Sequence, residues 1–272
     1  MSARVTCEIP YQRCGAFQAG RASGFGGGRL CDHVPCAAVE KEERSMTKDI
    51  KRKSANRAAR GMELDTRALR IAGFLYLMII ICGLWSELFV RVPIIVPGNA
   101  GKTGIAIVEN AQLWQMGMAA DLVMALCDAA VAVLLYRVFL SVEPTLSLMA
   151  MVFRLVQATI IGLNLGAMGL ALGLASNSAD LPMAFVNAHA LGYDLGLAFF
   201  GVSNVLIAAL LMRTVFVPRL LAVGLFTAGV VYLCGTLLRL LHPDWSTAFT
   251  PAYLIPFLAE LYFCGWMLSS RS

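Results

Sequence analysis

The chain has 272 residues, 58% of them hydrophobic and only 14% charged, with a formal net charge of +5. A soluble globular chain carries about 45–50% apolar and about 25% charged residues, so these proportions exclude an ordinary soluble enzyme and point to a polytopic membrane protein. Most of the Lys and Arg lies before residue 71 and no Lys follows Lys102. A basic tail beside apolar segments sets topology or touches anionic lipid; nucleic-acid binding needs a basic face on a folded module, which is not expected here.

Residues 1–66 lack helical or strand periodicity and read as a disordered tail. They open without the apolar core of a signal peptide, so targeting falls to the first apolar segment. The composition changes at Met46, which begins MTKDIKRKSANRAARGMELDTRALR, and a translation start at Met46 or Met62 is expected. The tail cysteines include CDHVPC, with His33 between Cys31 and Cys36, but the second close ligand pair of a zinc site is missing and no metal is assigned. GFGGGRL has Arg29 where a GxGxxG fingerprint needs its last glycine, and no strand precedes it.

Residues 67–272 read as one domain. Six apolar segments follow the tail, near 70–90, 114–138, 147–174, 187–212, 217–240 and 249–270, each close to the roughly 20 residues a spanning helix needs. The expected fold is therefore an all-α bundle of six transmembrane helices. The basic flank from Lys48 to Arg70 places the N-terminus in the cytoplasm of a cell-membrane protein, and an even number of spans returns the C-terminus to the same side. Between the first two segments, the Pro97–Gly98 turn leads to a short helix expected to run to about Gln112 and to cap the bundle, with the apolar residues at 105, 107 and 108 on the membrane surface. Pro256 inside the sixth segment predicts a kink.

The second segment contains AADLVMALCDAAVAVLLYRV, with Asp121 and Asp128 two turns apart on one helix face. Carboxylates at bilayer depth must face the interior and find partners. In the third segment Arg154, Gln157 and Asn164 fall on one face, and Arg154 enters to nearly the depth of Asp128, so an Asp128–Arg154 pair is expected. Its plainer role is to lock two neighbouring helices. Gly162, Gly166, Gly169 and Gly173 form a small-residue face suited to close helix packing, which predicts a central place for this segment. Glu260 reads as a lone deep acid completing the interior polar group. Glu87, Asp121, His189, Tyr193, Asp194 and Arg239 lie at similar depth toward the other side and suggest an outward-facing polar vestibule, or simply groups in the wet interface zone.

SELFVRVPIIVPGNA, DLVMALCDAAVAVLLYRVF, FRLVQATIIGLNL, HALGYDLGLAFFG, VPRLLAVGLFTAGVVYL and the closing P…LAE…W pattern occur in that order. Together, over roughly residues 66–270, they resemble a bacterial family catalogued as domain of unknown function 4386. The resemblance implies a multi-pass integral membrane protein and no particular activity.

No HExxH, no GxSxG with triad partners, no aspartate-rich diphosphate motif and no histidine box occurs, so an enzyme ranks below the other classes. Only His189 and His242 lie beyond the tail, too few for a haem held within the spans, and no span carries a Schiff-base Lys. No cofactor is expected. Two classes stand level: small-ligand or proton-linked transport through an interior polar site, against which no clear inverted repeat is evident, and a non-catalytic lipid-binding, sensing or assembly subunit.

Overall fold

The computed structural model describes residues 45–48, 65–176, 180–214 and 217–270. The tail lies outside the described residues apart from a helical turn at 45–48, and with it lie its expected disorder, the CDHVPC stretch and most of the proposed lipid-contacting charge. The described residues from Asp65 to Ser270 belong to one compact unit.

Among the described residues the regular elements of that unit are all helices. Helix α1 (Thr66–Trp85) starts where the Asp65 side chain accepts the Ala68 N–H at 3.1 Å, a direct N-cap. It continues through a π-helical segment (Ser86–Arg91) and a last α-turn (Val92–Ile94). Pro93 explains the widening: it has no N–H for the Phe89 carbonyl, and its ring crowds that group, so the turn opens. Gly98 at φ 73° and the Asn99 cap lead into the short α2 (Ala100–Glu109).

The remaining long helices are α3 (Ala111–Phe139), α4 (Pro144–Leu174), α5 (Leu181–Met212) and α6 (Arg219–Leu241). A short α7 (Pro243–Phe249) and a 3₁₀ turn (Thr250–Tyr253) precede α8 (Leu254–Ser269). Proline near the first turn fixes the starts of α4 and α5. Pro182 lets α5 begin six residues before the apolar segment expected at 187. Pro256, expected to kink the sixth span, sits in the first turn of α8, where its missing N–H breaks no ladder, and the span runs from the 3₁₀ turn at Thr250 through that helix to Ser269.

Among the described residues six helices are long and apolar enough to cross a membrane. They form a closed ring in chain order, α1–α3–α4–α5–α6–α8, with α8 packed back on α1. The third span is thus a ring member, packed mainly between α3 and α5, and not the central helix its two special faces predicted. The outer faces carry Phe74, Leu126, Leu163, Leu220 and Leu258, all exposed, as lipid-facing positions should be.

The ring is solid at one end and hollow at the other. At the solid end all six spans contribute to one apolar core, including Leu69, Leu135, Ala150, Leu211, Leu221 and Met267. This is the end where α1 begins. At the other end, Val90, Ile107, Trp114, Met168 and Val186 tie α2 down over α3, α4 and α5, and Trp114 Nε1 donates to the Met168 carbonyl at 3.1 Å. Ile107 is buried while Ile105 and Val108 are exposed, so α2 caps the bundle with one face and leaves only the other for the membrane surface.

The close helix approaches are not where the glycine face of α4 predicted. A Cβ added at Gly162, Gly166 or Gly173 would meet nothing within 4 Å, and one at Gly169 only the tip of Met118 at 3.5 Å. The tight crossing is instead between α5 and α6, where Gly201 and Gly229 face each other's backbone. With open space around it, Gly166→Ala should raise the thermal midpoint in detergent slightly, in line with the roughly 0.5–1 kcal/mol helix advantage of alanine. A clear loss of stability would show that something does pack on this face.

Candidate functional site

The polar groups of the spans converge on the hollow half of the ring. At its floor Arg154 Nε donates to Asp128 Oδ1 at 2.6 Å, and both residues are almost fully buried. The guanidinium carbon lies 4.9 Å from the centre of the Tyr76 ring and 4.7 Å from that of Phe200. One ion pair therefore joins α3 to α4, and the cation is also held between aromatic faces from α1 and α5. Arg154 Nη1 and Nη2 find no hydrogen-bond partner among the described residues. A cavity of about 10 Å³ bordered by Arg154, Ser147 and Ser203 is close to the size of one water.

Above this floor is a cavity of about 650 Å³ to which every span contributes lining. Asp128, Gln157, Tyr232 and Glu260 line it, and so do Glu87, His189, Tyr193, Asp194 and Arg239. The interior group and the outer group separated by sequence depth are thus largely walls of one space. The intervening wall is apolar, with Ile80, Met124, Ile161, Leu197 and Phe257.

Glu260 is not the lone acid expected. Tyr232 Oη donates to its Oε1 at 2.8 Å, and Asn204 Nδ2 lies 3.5 Å from the same oxygen. Asn164 does not join Asp128 and Arg154. Its Nδ2 donates to the His189 carbonyl at 2.6 Å, and His189 Nδ1 lies 3.3 Å from the Asn164 carbonyl, a reciprocal clasp between α4 and α5. Gly192 makes room for it, because a Cβ there would collide with the Asn164 amide. Gln157 is buried and faces the cavity, with Oε1 unpartnered.

Toward the end of α1, Arg91 lies just past the apolar segment expected near 70–90. It is buried, with Nε donating to Glu87 Oε2 and Nη1 to Asp121 Oδ2, both at 2.6 Å, and Nη1 also to Ser86 Oγ at 2.8 Å. In a regular α-helix Ser86 and Arg91 would lie about 140° apart; the π turn, with its i→i+5 bonding, brings them to one side. Pro93 four residues after Phe89 was the available signal. Across the cavity Arg239 Nε pairs with Asp194 Oδ2 at 2.9 Å, joining α6 to α5. A second, smaller cavity of about 150 Å³ shares Asp194, Arg239 and Tyr253 with the first, so this half-exposed pair stands between the two spaces.

Among the described residues no group of three or more His, Cys, Asp or Glu side chains has the geometry to hold a metal ion. The described cysteines, Cys82, Cys127, Cys234 and Cys264, are free thiols within helices. The arrangement combines a volume in the range of small-molecule sites, mostly apolar walls and a few convergent polar groups.

No curated protein and no solved structure matches the chain. The sequence model of the family described as "Domain of unknown function (DUF4386)" matches residues 71–270, which takes in the six spans of the ring apart from the first five residues of α1, and the chain belongs to that family.

Proposed function

We propose that the chain is a small-ligand-binding membrane protein of transporter type, whose central cavity is the ligand site. The observation that carries this reading is the closed ring of six spans around a space of about 650 Å³ with mostly apolar walls and a few convergent polar groups. An interior acid that meets no arginine, Glu260, fits a site that alternates between a ligand and a proton. With the N-terminal flank in the cytoplasm, the hollow end faces outward and the solid end closes the inner side. The basic tail then lies against anionic lipid of the inner leaflet.

The test is a thermal-shift panel of small amines, carboxylates and neutral polyols on the detergent-purified protein, with native mass spectrometry for retained small molecules. Ala190 lines the cavity, and Ala190→Trp should fill it. At least one class should stabilise the wild type by several degrees and leave Ala190→Trp unmoved. A panel without effect, together with no retained small molecule, would reject the reading.

A non-catalytic assembly subunit is the second reading. It is favoured by the glycine face of α4, where among the described residues only the tip of Met118 comes within 4 Å of an added Cβ. Crosslinking in native membranes that captured a partner along that face, with an unresponsive cavity, would favour it.

A further inference from the structure

We infer that the cavity selects a small organic cation, an amine with an apolar body, and that Glu260 receives its charge. This rests on the ligand-site reading and adds the ligand's chemical class.

The first argument is the pattern of charge pairing. Arg154 is taken by Asp128 and Arg239 by Asp194, while Arg91 is shared by Glu87 and Asp121. Among the described residues Glu260 is bonded by a phenol and an amide only. Three arginines thus answer five acids, and His189, against the Asn164 carbonyl, supplies no bond to any of them. An anionic guest would meet this excess of negative charge, because each arginine is already paired with a carboxylate and the unpartnered Nη groups belong to Arg154, which borders the smaller cavity and does not line this one. A cation would meet a carboxylate still open to one.

The second argument is the direction of the unused hydrogen-bonding groups. Both bonds to Glu260 fall on Oε1, although the residue lines the cavity, so Oε2 is left as an acceptor for a guest. Gln157 Oε1, more than nine-tenths buried on the same cavity wall, is a second acceptor without a donor. Two waiting acceptors call for a guest that donates N–H bonds. The third argument is the surround. Tyr232, Tyr253, Phe257 and Phe200 also line the cavity near this level, and aromatic faces attract cations while the aliphatic wall accommodates an apolar body.

An isosteric series tests charge alone: phenethylamine, phenylacetate and 2-phenylethanol, titrated calorimetrically into the detergent-purified full chain. The amine should bind, with phenylacetate and the alcohol at least about tenfold weaker, as expected for a charge-assisted contact. Glu260→Gln keeps an oxygen for Tyr232 and should fold, yet lose at least about tenfold in amine affinity. Glu109→Gln, which removes an exposed carboxylate at the end of α2 outside the cavity lining, should bind the amine within about threefold of wild type. Preference for phenylacetate or the alcohol would overturn the cation assignment and leave the ligand site standing. Amine binding unchanged in Glu260→Gln would overturn the role of Glu260. If that variant fails to fold, the wild-type series still decides. No binding by any of the three overturns the cation assignment, and no response to the wider panel removes the ligand site with it.

Discussion

Arg154→Leu should destabilise the bundle by about 3–5 kcal/mol, the cost of stranding one member of a buried ion pair. The change leaves Asp128 without its guanidinium in an almost fully buried position, and it also removes the cation held between Tyr76 and Phe200. Asp128→Asn should cost less, about 1–3 kcal/mol. An asparagine oxygen still accepts the Arg154 Nε–H, and the aromatic faces still shield the cation. The double variant should be more stable than Arg154→Leu alone, because neither uncompensated charge remains. Thermal unfolding of the four proteins in one detergent measures this. Singles that leave the midpoint within a degree of wild type would show that the pair does not hold α3 to α4. Asp128, which lines the cavity, would then be a ligand or proton group in its own right.

The same comparison shows what a linear sequence carries. The six spans were legible because apolar runs of about 20 residues admit few other fates. Asp128–Arg154 was legible because two buried charges of opposite sign at matching depth on consecutive helices have little choice of partner. Closure of the ring was not legible, since contact between α8 and α1 depends on how five intervening crossings add up. Arg91 was missed for a local reason: hydropathy ends the first span near residue 90, while the chain continues helically to Ile94 through a π turn. A shared helix face placed Asn164 with Arg154 and Gln157, whereas its position beside α5 joins it to His189. Glycine spacing proved the weakest guide. It marks which faces permit close approach, and only the neighbouring helix decides which of them is used.

Gly229→Val should be among the most damaging single substitutions in the spans. Even a Cβ at Gly229 would lie 2.5 Å from the Gly201 carbonyl oxygen and 2.7 Å from Val205 Cγ2, and a Cβ at Gly201 would lie 2.8 Å from the Gly229 carbonyl oxygen. The obstructing atoms are largely backbone, so no rotamer change relieves the clash and α5 and α6 must separate. Overpacking of this kind costs about 1–3 kcal/mol for small insertions and more for larger ones. Gly229→Ala should therefore lower the midpoint clearly and Gly229→Val further, while Gly166→Ala does not. The effect should also reach the site. Tyr232 is one helical turn from Gly229 on α6, packs its ring at a tilt against Phe200 on α5 at 5.5 Å between ring centres, and donates to Glu260. Parting the two helices moves that donor away from the carboxylate. Where Gly229→Ala remains folded, it should weaken binding of the amine probe more than its modest loss of stability would suggest. Unchanged amine affinity in a clearly destabilised Gly229→Ala would separate the α5–α6 crossing from the geometry of the cavity. An undisturbed midpoint in both variants would mean that the crossing is looser than these distances require.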